Sequence, residues 1–491
     1  MPALCSKNKL CTDVVIIGNG PSGICLSYML SGHRPYYNGR PHSNPYLADK
    51  LKKIGENITL LEQDLEHLCE GIEGRSSNPV AVLFDSLSHP EADLGADNPS
   101  LLDWRYEPQH KKDHVVLGKM KPGGSWQRME GSMQTLSLSS WMELPDMPFQ
   151  DWVHRNRRNE DPLEPCTNRA TINDVCNYYM SFIEEKNIKQ NFFDYHTVTS
   201  VRKVYQSNFT VDDESGETVP CCPGMTKHPY HWEVRGYRMV KCCQGDSQDE
   251  IREEFCISAP TVVIATGTFD VPNKLGLSGE NLPYVSHSLH ELETVINNEP
   301  LSTNADPVLV VGAGLSAADA VLMAIENQIP VVHVFRRGAN DSSIILKKLP
   351  QNMYPEYHKV HSLMKGTEQS PFYKPMSMHE VVELKDDKKV LLKPRRTKSS
   401  EITSLDISHA AILIGSRPDL SFLSQEGRNI GVVQKYPIES KHNPIDINPY
   451  SYQSVHEPGL FAMGPLVGDN FVRFGLGGAL GITHHLMTGN K

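Results

Sequence analysis

No stretch of this chain approaches the ~18 consecutive apolar residues that a membrane span requires, so no transmembrane helix is expected. The amino terminus, Met1 to Asp13, lacks the apolar core of a secretory signal, and an intracellular, cytoplasmic protein is expected. The eleven cysteines form no Cys-x-x-Cys or Cys-x-x-x-x-Cys pair. That excludes a redox dithiol or zinc knuckle readable from spacing and fits a reducing compartment. Adjacent cysteines do occur, Cys221-Cys222 and Cys242-Cys243. Tetrahedral sites take ligands two to four residues apart, so no metal is expected. Positive charge is in deficit: 48 Lys and Arg against 59 Asp and Glu leave a net charge of −11. Phosphate contacts need clustered cations, so no nucleic-acid partner is expected. The basic runs Lys388-Lys389 and Lys393 to Lys398 read as solvated hairpin or loop.

What the chain has is two glycine-rich turns, each behind a short β-branched run. The first is Val14-Val15-Ile16-Ile17-Gly18-Asn19-Gly20-Pro21-Ser22-Gly23. The second is Val308-Leu309-Val310-Val311-Gly312-Ala313-Gly314-Leu315-Ser316-Ala317. In such turns the first glycine makes the tight bend and the second lets the backbone approach a pyrophosphate. The third lets helix and strand pack closely, and alanine is an accepted variant there. The pyrophosphate lies on a helix N-terminus, where free N–H groups and the helix dipole favour negative charge. One such turn is weak evidence; two suggest a flavin and a nicotinamide.

At 491 residues, two or three domains are expected. After the first turn come a helix over Ile24 to Leu30, an irregular stretch over Ser31 to Pro45, and a strand over Ile58 to Leu61 ending in Glu62. Gly71 to Pro165 reads mostly as loop and contains Pro122-Gly123-Gly124-Ser125-Trp126. Thr171 to Lys186 reads as a helix with Thr171 and Asp174 as a near-capping box. Residues from about 196 to 262 alternate as a β-meander, with an excursion marked by Gly216, Pro220, Pro223 and Gly224. A buried strand then ends in Ala265-Thr266-Gly267. The second unit continues with a helix over Ser316 to Asn327, the strand Val331 to Phe335, a hairpin near Glu380 to Lys393, and a buried strand over Ala410 to Gly415. The fold class is α/β with two Rossmann-like domains. An FAD domain, residues 1–285 and 420–491, is split by an NADPH domain over 286–419.

For FAD, the expected contacts are Gly18, Gly20, Pro21, Ser22, Gly23, Glu62, Gly124, Ser125, Trp126, Thr266, Gly267, Gly468 and Asp469. Glu62 would accept from an adenosine ribose; it lies 39 residues past Gly23, with the irregular stretch taking up the excess, and Asp64 or a solvated acid is the alternative. Trp126 walls the flavin or packs in the core. For NADPH, the expected contacts are Gly312, Gly314, Ser316, Ala317, Arg336 and Arg337. Arg336 comes 22 residues after Gly314, where an NAD site places an acid. Paired guanidinium groups suit a 2′-phosphate, the alternative being an exposed basic turn. Asn273 and Arg473 are weak catalytic candidates beside the flavin or NADP, each alternatively structural.

The order of Gly18-x-Gly20-x-x-Gly23, Gly123-Gly124-Ser125-Trp126, Ala265-Thr266-Gly267 and Gly312-x-Gly314-x-x-Ala317 resembles the class B flavin monooxygenases. In such folds the Gly-Gly-x-Trp segment lies beside the flavin, and Gly464-Pro465-Leu466-Val467-Gly468-Asp469 resembles the turn that holds the ribityl chain. More closely, Ile17 to Tyr28, Glu73-Gly74-Arg75-Ser76, Tyr354-Pro355-Glu356-Tyr357-His358-Lys359-Val360 and Gly464 to Phe474 resemble the oxidative stress-induced growth inhibitor family. The resemblance implies a monooxygenase that forms a C4a-peroxyflavin, with a small-molecule or protein side-chain oxygen acceptor. It also implies roles in growth, differentiation, cell death or cell division, and association with cell-division structures. The alternatives are a non-catalytic flavin-binding regulator and an NADPH oxidase releasing hydrogen peroxide. One departure concerns the linker histidine of such monooxygenases. It falls four residues after a glycine; here Gly279 is followed at that spacing by Pro283, and His287 comes four residues later. His287 is expected to pack the linker.

Overall fold

The computed structural model describes residues 10–55, 57–129, 131, 133–156, 169–205, 210–211, 218–219, 230–241, 250–298, 306–395 and 402–489. The cysteine pairs at 221–222 and 242–243, and the excursion at Gly216, Pro220, Pro223 and Gly224, lie outside these residues. The chain divides into two compact units: Met1–Thr268 with Pro418–Lys491, and Phe269–Arg417. Val271–Pro272 pairs antiparallel with Ser416–Arg417, closing the neck of the second unit.

In the first unit the run Val14–Ile17 (β1) is wholly buried at the centre of a five-stranded parallel sheet. A strand covered on both faces must be apolar along its length, as this one is. Its neighbours are His114–Gly118 (β2) on one side and Thr261–Ile264 (β3) on the other. Phe192–Asp194 lies beyond β2, and Leu460–Ala462 beyond β3. In such sheets ligands sit outside the carboxyl ends of the strands, here where the first glycine turn emerges. The helix after the turn, Pro21–Leu30 (α1), starts three residues before Ile24, with proline in its first turn. The fixed φ of proline suits that place, and its missing N–H costs nothing there.

Three sequence expectations fail here. The irregular stretch holds a strand, His33–Tyr37, antiparallel to Leu102–Tyr106. Ile58–Leu61 is not a strand: Thr59 makes a single bridge to Tyr36, and Leu60–Glu62 is a 3-10 turn. The strand that follows β1 in the sheet is β2, inside the segment that reads as loop, which also contains the helix Pro79–Ser88. β2 is short and bracketed by lysines, and Pro79–Ser88 is buried almost all round. Neither shows the alternation or the 3.6-residue period on which pattern reading depends.

The meander forms as three antiparallel strands, His196–Tyr205, Tyr230–Lys241 and Glu250–Ala259. Leu10–Cys11 adds a parallel edge. Cys11 is disulfide-bonded, which the cysteine spacing did not foresee. The helix Ile172–Glu185 carries the expected capping box: Asp174 N–H donates to Thr171 Oγ1 at 3.1 Å, and Thr171 N–H to the Asp174 carboxylate at 3.3 Å. Such a cap contributes about 1 kcal/mol.

In the second unit Val308–Val311 (β4) is central in another parallel sheet, ordered Val285–Ser286, His409–Ile412, β4, Val331–Phe335 (β5), Tyr373–Ser377 (β6). The helix Leu315–Glu326 (α2) follows the second turn. The hairpin gains a third strand: His379–Leu384, Lys389–Pro394 and Thr403–Asp406. Among the described residues no helix is long and apolar enough to cross a membrane. Nor do three or more His, Cys, Asp or Glu side chains there group to hold a metal.

Candidate dinucleotide-binding sites

The first turn is closed by contacts that only glycine permits. Gly18 has φ +116°, and a Cβ there would lie 2.3 Å from the Ala265 carbonyl oxygen. Its N–H donates to Leu117 O at 2.8 Å, tying the turn to β2. A Cβ on Gly23 would lie 2.1 Å from the Gly18 carbonyl oxygen, so α1 packs directly on the bend. The Gly-Gly-Ser-Trp segment folds over the turn. Gly123 N–H donates to Asn19 O at 2.9 Å, Asn19 Nδ2 donates to Met120 O at 2.7 Å, and a Cβ on Gly124 would lie 2.9 Å from Gly20 Cα. Ser125 and Trp126 follow on a 3-10 turn, and Trp126 is half-buried against the main core. The tail arrives at the same helix start: a Cβ on Gly464 would lie 2.8 Å from Ser22 Oγ, and one on Gly475 3.1 Å from it.

Helix α1 has no side-chain cap at Gly20 and no acid in its first turn; the same holds for α2 at Gly314. Uncapped N–H groups with a positive dipole end and no competing carboxylate suit an anion. Thr266 Oγ1, next to Gly18 through Ala265, is buried without a hydrogen-bond partner among the described residues. Gly267 has φ +68°, and a Cβ there would meet nothing within 4 Å. An orphaned hydroxyl, open space and a glycine cradle fit a dinucleotide at this end of the sheet.

Two residues are placed otherwise than expected. Glu62 sits on the 3-10 turn, not at the end of a strand beside β1, and its carboxylate accepts from the buried Arg34 at 2.6 Å. The strand that does lie beside β1 ends at Gly118 and is followed by Lys119, which pairs with Asp419 at 3.0 Å. Asp469 is 1% exposed, and its carboxylate accepts from Ser76 Oγ at 2.5 Å, Asn78 Nδ2 at 3.1 Å and Tyr452 O–H at 3.1 Å. Burial pushes its pKa up to about 7 against those three bonds. Asn78 precedes Pro79 as a helix N-cap, yet its side chain makes no cap bond and is committed to Asp469 and Val467 O. Sequence reading assigned no site role to Ser76, Asn78 or Tyr452; Ser76 stood in the family-like block Glu73-Gly74-Arg75-Ser76, and Asn78-Pro79 marked a helix start.

The Asp469 arrangement makes a signed prediction. Its raised pKa means that the folded state holds the proton between pH 3.8 and about 7. This group's contribution to stability is therefore full below pH 3.8 and lost as pH rises through about 7. The difference in unfolding free energy between wild type and Asp469→Asn should fall across that window by about 4 kcal/mol. Guanidinium titrations of both proteins at several pH values check it; a difference independent of pH would reject it.

Arg473, a weak catalytic candidate, is buried and pairs with Asp85 and Asp93, with Trp141 stacked at 4.5 Å. Asn273 Nδ2 donates to Ile414 O at 3.4 Å and its N–H to Gly415 O at 2.9 Å, in the neck of the second unit. Both make structural ties. His287 Nε2 lies 3.2 Å from Glu280, whose carboxylate also accepts the N–H groups of Leu275, Gly276 and Leu277. The shifted histidine thus anchors the linker loop.

The second turn repeats the first in outline. Gly312 N–H donates to Val334 O at 3.0 Å, and a Cβ on Gly312, at φ +142°, would lie 2.3 Å from Leu413 O. It is open where the first is roofed: a Cβ on Gly314 would meet nothing within 4 Å, and Ser316 lies in the first turn of α2 beside buried Ala317. Arg336 and Arg337 are exposed just past β5, and Arg337 donates to Ser343 Oγ, which bonds the Asp341 carboxylate.

Residues 252–464 match the pyridine nucleotide-disulphide oxidoreductase family. Over its whole length the chain is 44% identical to human oxidative stress-induced growth inhibitor 2, covering 96% of that protein. The chain belongs to the oxidative stress-induced growth inhibitor family. Among solved structures, this chain is similar in fold to bacillithiol disulfide reductase from Staphylococcus aureus: TM-score 0.57, 14% identity, 98% of this chain and 99% of that one. It is also similar to reduced ornithine hydroxylase from Pseudomonas aeruginosa: TM-score 0.54, 12% identity, 98% and 99% coverage. At such identities the likeness is one of fold, the two-dinucleotide, Rossmann-type oxidoreductase fold, which a reductase and a hydroxylase share.

Proposed function

We propose that this protein is an FAD- and NADPH-dependent oxidoreductase of the monooxygenase type, with FAD at the first turn and NADPH at the second. The observation that carries the assignment is the contrast between the turns. The first is roofed by Gly123-Gly124 and closed by the tail at Ser22, as suits a cofactor that stays. The second is open and ends in two exposed arginines, as suits a coenzyme that comes and goes. FAD, when bound and reduced by NADPH, supplies oxygen activation and transfer of one oxygen atom to an acceptor.

The chain's own residues bind and enclose. The N–H groups at the starts of α1 and α2 receive the pyrophosphates, Thr266 Oγ1 offers a buried hydroxyl, and Arg336 and Arg337 receive the 2′-phosphate. Asp469 organises the tail by gathering Ser76, Asn78 and Tyr452. Neither Glu62 nor a strand-end acid is assigned to the adenosine ribose, because Glu62 is held by Arg34 and β2 ends at Gly118, followed by Lys119. Disulfide reduction is disfavoured. The sequence has no Cys-x-x-Cys or Cys-x-x-x-x-Cys pair, and Cys25 on α1 is fully buried, its thiol pushed up by desolvation and so unreactive. The acceptor is a small molecule or a protein side chain, and the relatives' names support a role in restraining growth under oxidative stress.

The test is a visible spectrum of the purified protein, followed by NADPH under limited oxygen. Bound flavin, bleached by NADPH, with less peroxide than NADPH consumed once an acceptor is present, is the expected result. Absence of flavin overturns the enzyme reading. Flavin that NADPH does not bleach turns it into a flavin-binding regulator, and stoichiometric peroxide into an oxidase.

A further inference from the structure

The two turns differ at their third fingerprint position. In the first, the Gly18 carbonyl oxygen sits where a Cβ on residue 23 would lie 2.1 Å away. Ala317 carries that methyl in the second turn, so the Gly312 carbonyl cannot take the equivalent place. It turns instead to the neighbouring strand. His333 on β5 is 1% exposed, with Nε2 2.7 Å from Gly312 O and Nδ1 2.8 Å from the Tyr373 hydroxyl on β6. In the first sheet the same register position, opposite the third residue of the central strand, is Val116, which offers no donor.

The bonding fixes the tautomer. A carbonyl only accepts, so Nε2 bears the proton and donates to Gly312; Nδ1 then accepts from Tyr373 O–H. Burial holds the imidazole neutral, its pKa pushed down to about 4, which keeps Nδ1 an acceptor at neutral pH. No cis peptide occurs among the described residues. In a trans peptide C=O and N–H point in opposite directions. Drawing the Gly312 carbonyl toward His333 therefore aims the Ala313 N–H the other way, out of the turn.

We propose that His333, itself held by Tyr373, is the positioning residue of the second turn: it sets the Gly312–Ala313 peptide so that its N–H faces the coenzyme pyrophosphate, and so makes alanine workable at position 317. The inference rests on the reading of this turn as the NADPH site. The pyrophosphate is common to NADPH and NADH, so the effect of His333 falls on both coenzymes alike, whereas the arginines act on the 2′-phosphate alone.

The test is direct titration of the full-length flavin-loaded protein with NADPH and with NADH, in wild type, His333→Leu, His333→Gln and the double variant Arg336→Ala/Arg337→Ala. His333→Leu should raise both dissociation constants about tenfold with flavin content unchanged. Glutamine can donate and accept at the same places and should restore most of the binding. If His333→Leu changes neither constant, or only that for NADPH, while the double arginine variant still loses NADPH, the inference is overturned and the site assignment stands. If the arginine variant also binds NADPH normally, the site assignment falls and the inference with it. Should His333→Leu not fold, Tyr373→Phe decides: weakening of both coenzymes about threefold supports the relay, and unchanged constants overturn it.

Discussion

Replacing Arg336 and Arg337 together by alanine is expected to weaken NADPH binding about 100-fold and leave NADH within about twofold. Each charge-assisted bond to a phosphate contributes about 1.5–3 kcal/mol, and tenfold in affinity is about 1.4 kcal/mol. The residues should not contribute equally. Arg337 already shares its guanidinium with Ser343, which is fixed by Asp341, so it enters the site oriented but partly committed. Arg336 stands exposed directly after β5. The single Arg336→Ala change should carry the larger share of the loss. Equilibrium titration with both coenzymes measures this directly, and a NADPH preference that survives the double change would reject the 2′-phosphate assignment.

Gly124→Ala is expected to leave the purified protein with less than about a tenth of the wild-type flavin. The new methyl would lie 2.9 Å from Gly20 Cα, and the contact is backbone on both sides, so no side chain can swing away. The residue also has φ +62°, which costs an L-residue about 1–2 kcal/mol. Gly366→Ala separates the two causes. It sits at φ +74° at the end of a helix, and a Cβ there would meet nothing within 4 Å. It should lose about 1 kcal/mol of stability and no flavin. Absorbance of bound flavin per protein, with thermal unfolding of both variants, distinguishes strain from displacement of the roof. Normal flavin content in Gly124→Ala would mean that the roof does not enclose the cofactor.

Much of the framework was legible because it depends on local chemistry. A β-branched run followed by Gly-x-Gly-x-x-Gly or Gly-x-Gly-x-x-Ala has few ways to fold other than strand, tight turn and helix. Both appear, as β1 with α1 and β4 with α2. The Thr171–Asp174 box marked its helix start for the same reason: both partners lie within one turn. Glu62 shows the limit. An acid following an apolar run at a plausible distance met the pattern, but the sheet position beside β1 went to His114–Gly118, far along the chain. Nothing local to either segment says which of them pairs with β1, because strand pairing is settled by which run buries more surface within the whole sheet.

The sequence by itself determined that this chain has two glycine turns, no Cys-x-x-Cys or Cys-x-x-x-x-Cys pair, and paired arginines behind the second turn. Those are matters of residue type and spacing. Only the tertiary structure decided how the turns differ. It brought Gly124 onto Gly20 across about 100 residues, gathered Ser76, Asn78 and Tyr452 around Asp469, and set His333 against Gly312. Each is a contact between distant segments, made specific by backbone close approach or by the need of a buried polar group for a partner. Such needs are met wherever the fold places a donor, and no spacing rule along the chain encodes that place.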